Sequence, residues 1–168
     1  MKTMAVTLRV ASEEDKTLFK NLFNMYQNEL GLYCAEFQDV DPNGYYDAAS
    51  ADWLFSSGGA VIPIVIECEE RIVGFAVITL PPYCPENYDY CIQEFFVVGY
   101  YRGKGVAQAA AEALLGAVKG RYAAAVLNKN QRAKIFFSEL FLRYGGTEQP
   151  FGEEFTLFSM DNRAAETE

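Results

Sequence analysis

The chain predicts a single α/β domain with a mixed sheet, and three observations carry that expectation. Its 168 residues suit one core, because single domains run to roughly 100–200 residues. β-rich apolar runs take turns along the chain with segments whose apolar residues recur at helical spacing. No internal repeat or interdomain linker divides it, and the alternation of strand-like and helix-like runs is that of an α/β fold.

Val6 to Val10 reads as a short strand. Ser12 with Asp15 three residues on makes a capping-box-like start, and Leu18, Phe19, Leu22, Phe23, Tyr26 and Leu30 then recur at helical spacing as far as Gly31. Tyr33 to Gly59, rich in Tyr, Asp and Gly and holding the only tryptophan, Trp53, reads as an irregular loop, either a connector or a carrier of binding residues. Pro63 to Leu80 reads as a hairpin turning at Glu69-Glu70-Arg71, and the three prolines of Pro81 to Asp89 make a loop. "YCIQEFFVV", Tyr90 to Val98, is apolar enough for a central strand.

A helix follows, with Val106, Ala110, Leu114 and Val118 on one ridge and an end near Gly120. Tyr122 to Asn128 is a further strand. Ala133, Phe136, Phe137, Leu140, Phe141 and Tyr144 then repeat at helical spacing up to Gly145-Gly146, and Phe155 to Met160 makes a last strand. Residues 1–160 are thus read as one domain, and the polar 161–168, "DNRAAETE", as a mobile tail.

Composition narrows the function. A hydrophobic fraction of 51% supplies core material and argues against disorder. No apolar run approaches the ~20 residues that span a bilayer and the N-terminus lacks a signal-peptide core, so a cytoplasmic protein with no membrane partner is expected. Cys34, Cys68, Cys84 and Cys91 form no CxxC pair and histidine is absent, which leaves no metal site and no Cys-His dyad. A general base must therefore be a carboxylate, a tyrosine, a thiol or a relayed water.

The net charge of −9 divides into +6 between Gly99 and Lys134 and −15 elsewhere. So acidic a chain is a poor nucleic-acid partner. The basic segment suits a compact anionic ligand, or else two helices with solvated lysine-rich faces.

"VVGYYRGKGVAQAAAEALL", Val97 to Leu115, runs from a strand through a cationic glycine turn into a helix. Unpaired N–H groups and the positive end of the helix dipole gather anions at such a point. Gly103 and Gly105 admit close approach and positive φ, and Arg102 and Lys104 add charge, so the turn reads as a phosphate cradle. The GxxxxGK[ST] phosphate loop is absent, and the dinucleotide fingerprint fails at Gln108. The pattern that fits is [Arg/Gln]-x-x-Gly-x-[Gly/Ala], written Arg102-Gly103-Lys104-Gly105-Val106-Ala107.

With this motif, and with "NKNQRAKIFF" matching Asn-x-x-Ala at Asn130 and Ala133, the chain from about Val6 to Met160 resembles the GNAT superfamily of N-acetyltransferases. The resemblance implies a mixed, mostly antiparallel central sheet flanked by helices. It also implies acetyl-CoA as acyl donor, without a metal, and direct transfer to the primary amine of a small molecule or peptide. Pyrophosphate would lie over the N–H groups of Arg102, Gly103, Lys104, Gly105, Val106 and Ala107, with pantetheine along the strand end at Phe96 and Val97 and in contact with Asn130. Arg132 or Lys134 would meet the ribose phosphate, or would be plain solvated helix residues.

Glu94 stands where several relatives carry a catalytic glutamate, and its alternative is a strand residue that pairs or faces solvent. Phe137 stands where many members have a tyrosine general acid, with Tyr101 and Tyr144 the nearest substitutes. That departure keeps open a catalytically idle CoA-binding or sensor module. Glu29, Glu36, Asp39, Asp41 and Asp47 would favour a cationic acceptor, unless the acidity serves solubility alone. Tyr33, Tyr45, Tyr46 and Trp53 would wall its pocket or merely pack the loop. A homodimer is left open.

Overall fold

The computed structural model describes residues 4–163. Among them, seven strands form one sheet: β1 (Val6–Val10), β2 (Val61–Cys68), β3 (Arg71–Thr79), β4 (Tyr90–Val97), β5 (Arg121–Leu127), β6 (Thr147–Phe151) and β7 (Phe155–Asp161). Their spatial order is β1-β2-β3-β4-β5-β7-β6. Every neighbouring pair is antiparallel except β4 with β5. Four α-helices flank the sheet: α1 (Lys16–Leu30), α2 (Ser50–Ser56), α3 (Val106–Ala117) and α4 (Gln131–Leu142). The expected single α/β domain with a mostly antiparallel mixed sheet is what the chain forms.

The alternation of side chains along β2 and β3 divides the core into two layers. Val65, Phe75 and Val77 meet Phe19, Leu22 and Phe23 of α1. Ile64, Ala76 and Ile78 point the other way, into the layer that holds Leu114 of α3 and Phe137, Leu140 and Phe141 of α4. Helices on both faces explain why β2 and β3 read as nearly continuous apolar runs. The hairpin between them turns at Glu69 and Glu70 as expected, both at positive φ, 48° and 65°. Before α1, the Asp15 carboxylate accepts the Ser12 N–H at 2.9 Å and the Arg9 guanidinium at 2.8 Å, which holds it below the usual aspartate range.

Two expectations need correction, and one strand was not anticipated. The Tyr33–Gly59 loop contains α2, which buries Ala51 and Leu54; two buried positions in a seven-residue helix give too little periodicity to show it. Thr147–Phe151 is an exposed edge strand, hidden from the sequence because it has no buried face to impose alternation and because Pro150 is a residue tolerated only at an edge. The tail does not begin at residue 161. Asp161 completes β7, and the Asn162 side chain is fully buried, donating to the carbonyls of Leu115 (2.8 Å) and Val118 (3.2 Å) and accepting from Gly120 N–H (2.8 Å). Those bonds satisfy backbone groups at and beyond the α3 C-terminus, so the polar residue belongs to the fold. The rest of the proposed tail, 164–168, lies outside the described residues.

Candidate active site

The site is built where two parallel strands part. β4 and β5 pair only at Tyr90 with Tyr122 and Cys91 with Ala123. Beyond that point Ile92 to Phe95 of β4 and Ala124 to Leu127 of β5 face a shared cavity of about 1090 Å³. The splay leaves the β4 backbone edge without a strand partner on this side among the described residues.

A bulge then re-aims β4. Ile78 pairs with Ile92 while its neighbour Val77 pairs with Glu94, so Gln93 is an extra residue in the ladder. Strict alternation would keep Ile92 and Glu94 on the same face. Instead Ile92 packs in the α3–α4 layer, and Glu94 turns to the opposite layer, where it meets Tyr26 of α1. Burial pushes the Glu94 carboxyl up to about 7, the Tyr26 hydroxyl pulls it down, and the neighbouring Glu36 carboxylate adds to the rise. Burial likewise lifts the Cys91 thiol to about 12, so it is protonated and unreactive near neutrality.

Glu36, Asp47, Glu94 and Glu154 all line the cavity, and no lysine or arginine among the described residues does. Trp53 and Tyr83 stand edge to face at its wall with ring centroids 5.7 Å apart. Of the four loop aromatics expected there, Trp53 alone lines it. The Tyr46 hydroxyl donates to Asn28 at 2.7 Å and the Tyr45 hydroxyl to Asn21 at 3.4 Å, so both pack outside against α1. Glu29 is likewise spent elsewhere, on Arg102.

The other end of β4 carries the glycine turn. Gly103 and Gly105 adopt φ of 69° and 82°, and Gly105 is the N-cap of α3. Among the described residues nothing lies within 4 Å of where a Cβ would stand on either, and they leave the turn open above both. The first turn of α3 leaves the N–H groups of Ala107 and Gln108 without intrahelical acceptors. Val106 is itself buried and anchors the helix start. Lys104 is exposed, its ammonium over the Tyr100 ring and bonded to the Tyr100 carbonyl.

Arg102 has a different occupation from the one its position suggested. Its N–H donates to the Gly99 carbonyl at 3.2 Å, and its guanidinium donates to the Val97 carbonyl at 2.7 Å and to both Glu29 oxygens at 2.8 Å. It clamps the turn to the end of α1.

Phe96 and Val97 are core side chains, 4% and 5% exposed, so only their backbone could meet a ligand. Asn130 lines the cavity and caps α4, accepting the Ala133 N–H at 3.2 Å. Phe137 also lines it, packed edge-on against Phe95, Phe136 and Phe141. Tyr101 and Tyr144 pack in the core layers and not on the cavity. Sequence reasoning missed Tyr26, Gln93, Tyr83 and Glu154. Tyr26 was visible only as one more apolar position on a helical stripe.

Among the described residues no cluster of three His, Cys, Asp or Glu side chains could hold a metal, and no helix is long and apolar enough to cross a membrane.

Solved structures share this architecture. An acetyltransferase from Thermus thermophilus superposes with a TM-score of 0.74 at 17% identity, covering 96% of this chain and 99% of that one. Diaminobutyrate acetyltransferase from Paenibacillus lautus, in complex with L-2,4-diaminobutyric acid and coenzyme A, gives 0.62 at 18% identity over 94% and 95%. Spermidine N-acetyltransferase from Vibrio cholerae, in complex with CoA and spermine, gives 0.64 at 16% over 93% and 95%. No curated protein sequence matches the chain. The sequence profile of the Acetyltransferase (GNAT) family matches residues 24–141, and with that match the chain belongs to the GNAT acetyltransferases.

Proposed function

We propose that this protein is an acetyl-CoA-dependent N-acetyltransferase whose acceptor is a cationic primary amine. The observation that carries the reading is Glu94, a carboxyl held near 7 at the junction of the strand gap and an acid-lined cavity. Acetyl-CoA supplies an activated acyl carbonyl in its thioester. The residues present fit it: an open glycine turn at a helix N-terminus for phosphates, and an unpaired β4 edge for an extended arm that adds like a strand.

An alkylamine with a pKa near ~10.4 arrives protonated and cannot attack. Glu36, Asp47 and Glu154 favour its entry as a cation, and Trp53 and Tyr83 offer ring faces to it. Glu94, a stronger base than an ordinary carboxylate, takes the proton directly or through a water and frees the nitrogen lone pair. Phe137 has no proton to give a departing thiolate, which a thiol pKa of ~8.5 makes tolerable. The same residue is the one feature favouring a second reading, a CoA-binding module without turnover.

Calorimetric titration with acetyl-CoA, CoA and ATP tests the donor, and thiol release with diamines, polyamines and lysine peptides tests turnover. Selective CoA binding with thiol release is expected. Binding without release from any amine favours the idle module, and no binding of either CoA species overturns both.

A further inference from the structure

We propose that Tyr26 is a positioning residue for the acyl transfer: its hydroxyl donates a hydrogen bond to the Glu94 carboxylate and holds it aimed into the cavity. The inference rests on the reading of Glu94 as base and adds a residue to it.

Three observations place the pair together. Tyr26 and Glu94 both line the cavity, from α1 and from the β4 bulge, and the hydroxyl and the carboxyl influence each other's titration. The Tyr26 ring has little freedom, with Phe75 and Phe96 edge-on or tilted at 5.7 Å and Phe23 at 6.1 Å. A hydroxyl on a ring so held points in one direction. Finally, one turn along α1 from Tyr26, Glu29 is gripped by Arg102, whose guanidinium also binds the Val97 carbonyl at the end of β4. The α1–β4 register is thereby pinned beside the pair.

Without such a partner the carboxylate of a residue beside the bulge would be free to swing among rotamers. The phenol stays a donor throughout. Burial and the Glu94 charge push its own proton's pKa well above the usual tyrosine value, so the proton remains on Tyr26 oxygen while Glu94 gains and loses one. Other groups also face the pair: Glu36 acts on Glu94, Glu94 and Cys84 on Cys91, and Cys34 and Glu29 on Tyr26. Glu36, from the loop that follows α1, pushes the Glu94 carboxyl up where the hydroxyl pulls it down.

The test is Tyr26→Phe, which keeps the ring and removes the donor. A bond to the charged form lowers a carboxyl pKa, so its loss raises it. The acid limb of the kcat/KM profile, set by Glu94 near 7 in the parent, should move upward by roughly one pH unit, a roughly tenfold loss on the acid side that recovers at high pH. Carbon-13 NMR of the Glu94 carboxyl, assigned by its disappearance in Glu94→Gln, should show the same shift without any acceptor present. In the unmodified protein the Tyr26 Cζ resonance should titrate together with Glu94.

An unmoved Glu94 midpoint in Tyr26→Phe, or a Tyr26 Cζ resonance indifferent to Glu94 protonation, overturns the inference. If instead the midpoint moves but Glu94→Gln leaves the pH–rate profile unaltered, the base assignment fails while the Tyr26 contact stands.

Discussion

The glycine turn at residues 102–105 and the cavity around Glu94 adjoin the same strand, β4, yet they are made from opposite materials. The turn is contiguous in sequence, mildly basic and built of backbone, with two left-handed glycines leading into a helix start. The cavity draws on α1, the loop behind it, α2, β4, β5, α4, β6 and β7, and presents four carboxyl groups among largely aromatic walls that include Trp53 and Tyr83. A phosphate needs donors that the main chain supplies wherever a helix begins, so a short local motif suffices. An amine needs charge, ring faces and a base converging from several directions, which only distant segments can provide.

The largest test of this contrast removes the base proposed for the cavity. Glu94→Gln is expected to lower kcat/KM by roughly 10²-fold or more at pH above 7 while leaving acetyl-CoA affinity within about twofold, since the cradle proposed at the glycine turn does not use that side chain. The same substitution should change stability in a pH-dependent way. The folded Glu94 pKa, about 7, lies above its ordinary value of 4.5, so the folded state holds the proton more firmly. Its stabilising effect is complete below about 4.5 and is lost as pH rises through about 7. Glu94→Gln should therefore be more stable than the parent at pH 8, by of order 1–3 kcal/mol, and show little advantage at pH 4. Thermal melts at the two pH values check it; an equal difference at both would mean that Glu94 is not held near 7.

A smaller effect is expected at the turn. Gly105→Val places a β-branched residue at φ 82°, a strain of roughly 1–2 kcal/mol, and puts a side chain into the open space above the helix start. Acetyl-CoA should bind about tenfold more weakly by calorimetry, with acceptor KM almost unchanged. A large change in acceptor KM would dissolve the distinction between the two regions.

The smallest is Asp47→Asn. This carboxylate is exposed, so it is worth only about 0.5–1 kcal/mol to a cationic amine and should raise that acceptor's KM about two- to fivefold, less at high salt. An uncharged aromatic amine should be indifferent to it. Equal effects on both acceptors would remove charge from the account of the pocket.

How much was legible follows the same division. Phe19, Leu22 and Phe23 announced α1 through helical spacing, and two β-rich apolar runs broken at Glu69-Glu70-Arg71 announced the hairpin, because burial of a face or of a whole strand writes itself into sequence. Thr147–Phe151 has no buried face, so nothing local distinguished an edge strand from a loop. Arg102 was legible as a cation in a cradle motif but not as a clamp, since its partner Glu29 stands 73 residues earlier.

By itself the sequence determined the α/β class, the family and the place of the glycine turn, because each rests on periodicity or on residues adjacent in the chain. Only the tertiary structure decided that Glu94 faces Tyr26, that Trp53 alone of the four loop aromatics reaches the cavity and that Asn162 belongs to the core. A single extra residue, Gln93, reverses the face on which Glu94 emerges, and such a reversal is fixed by the pairing of β4 with β3, which no local pattern in β4 encodes.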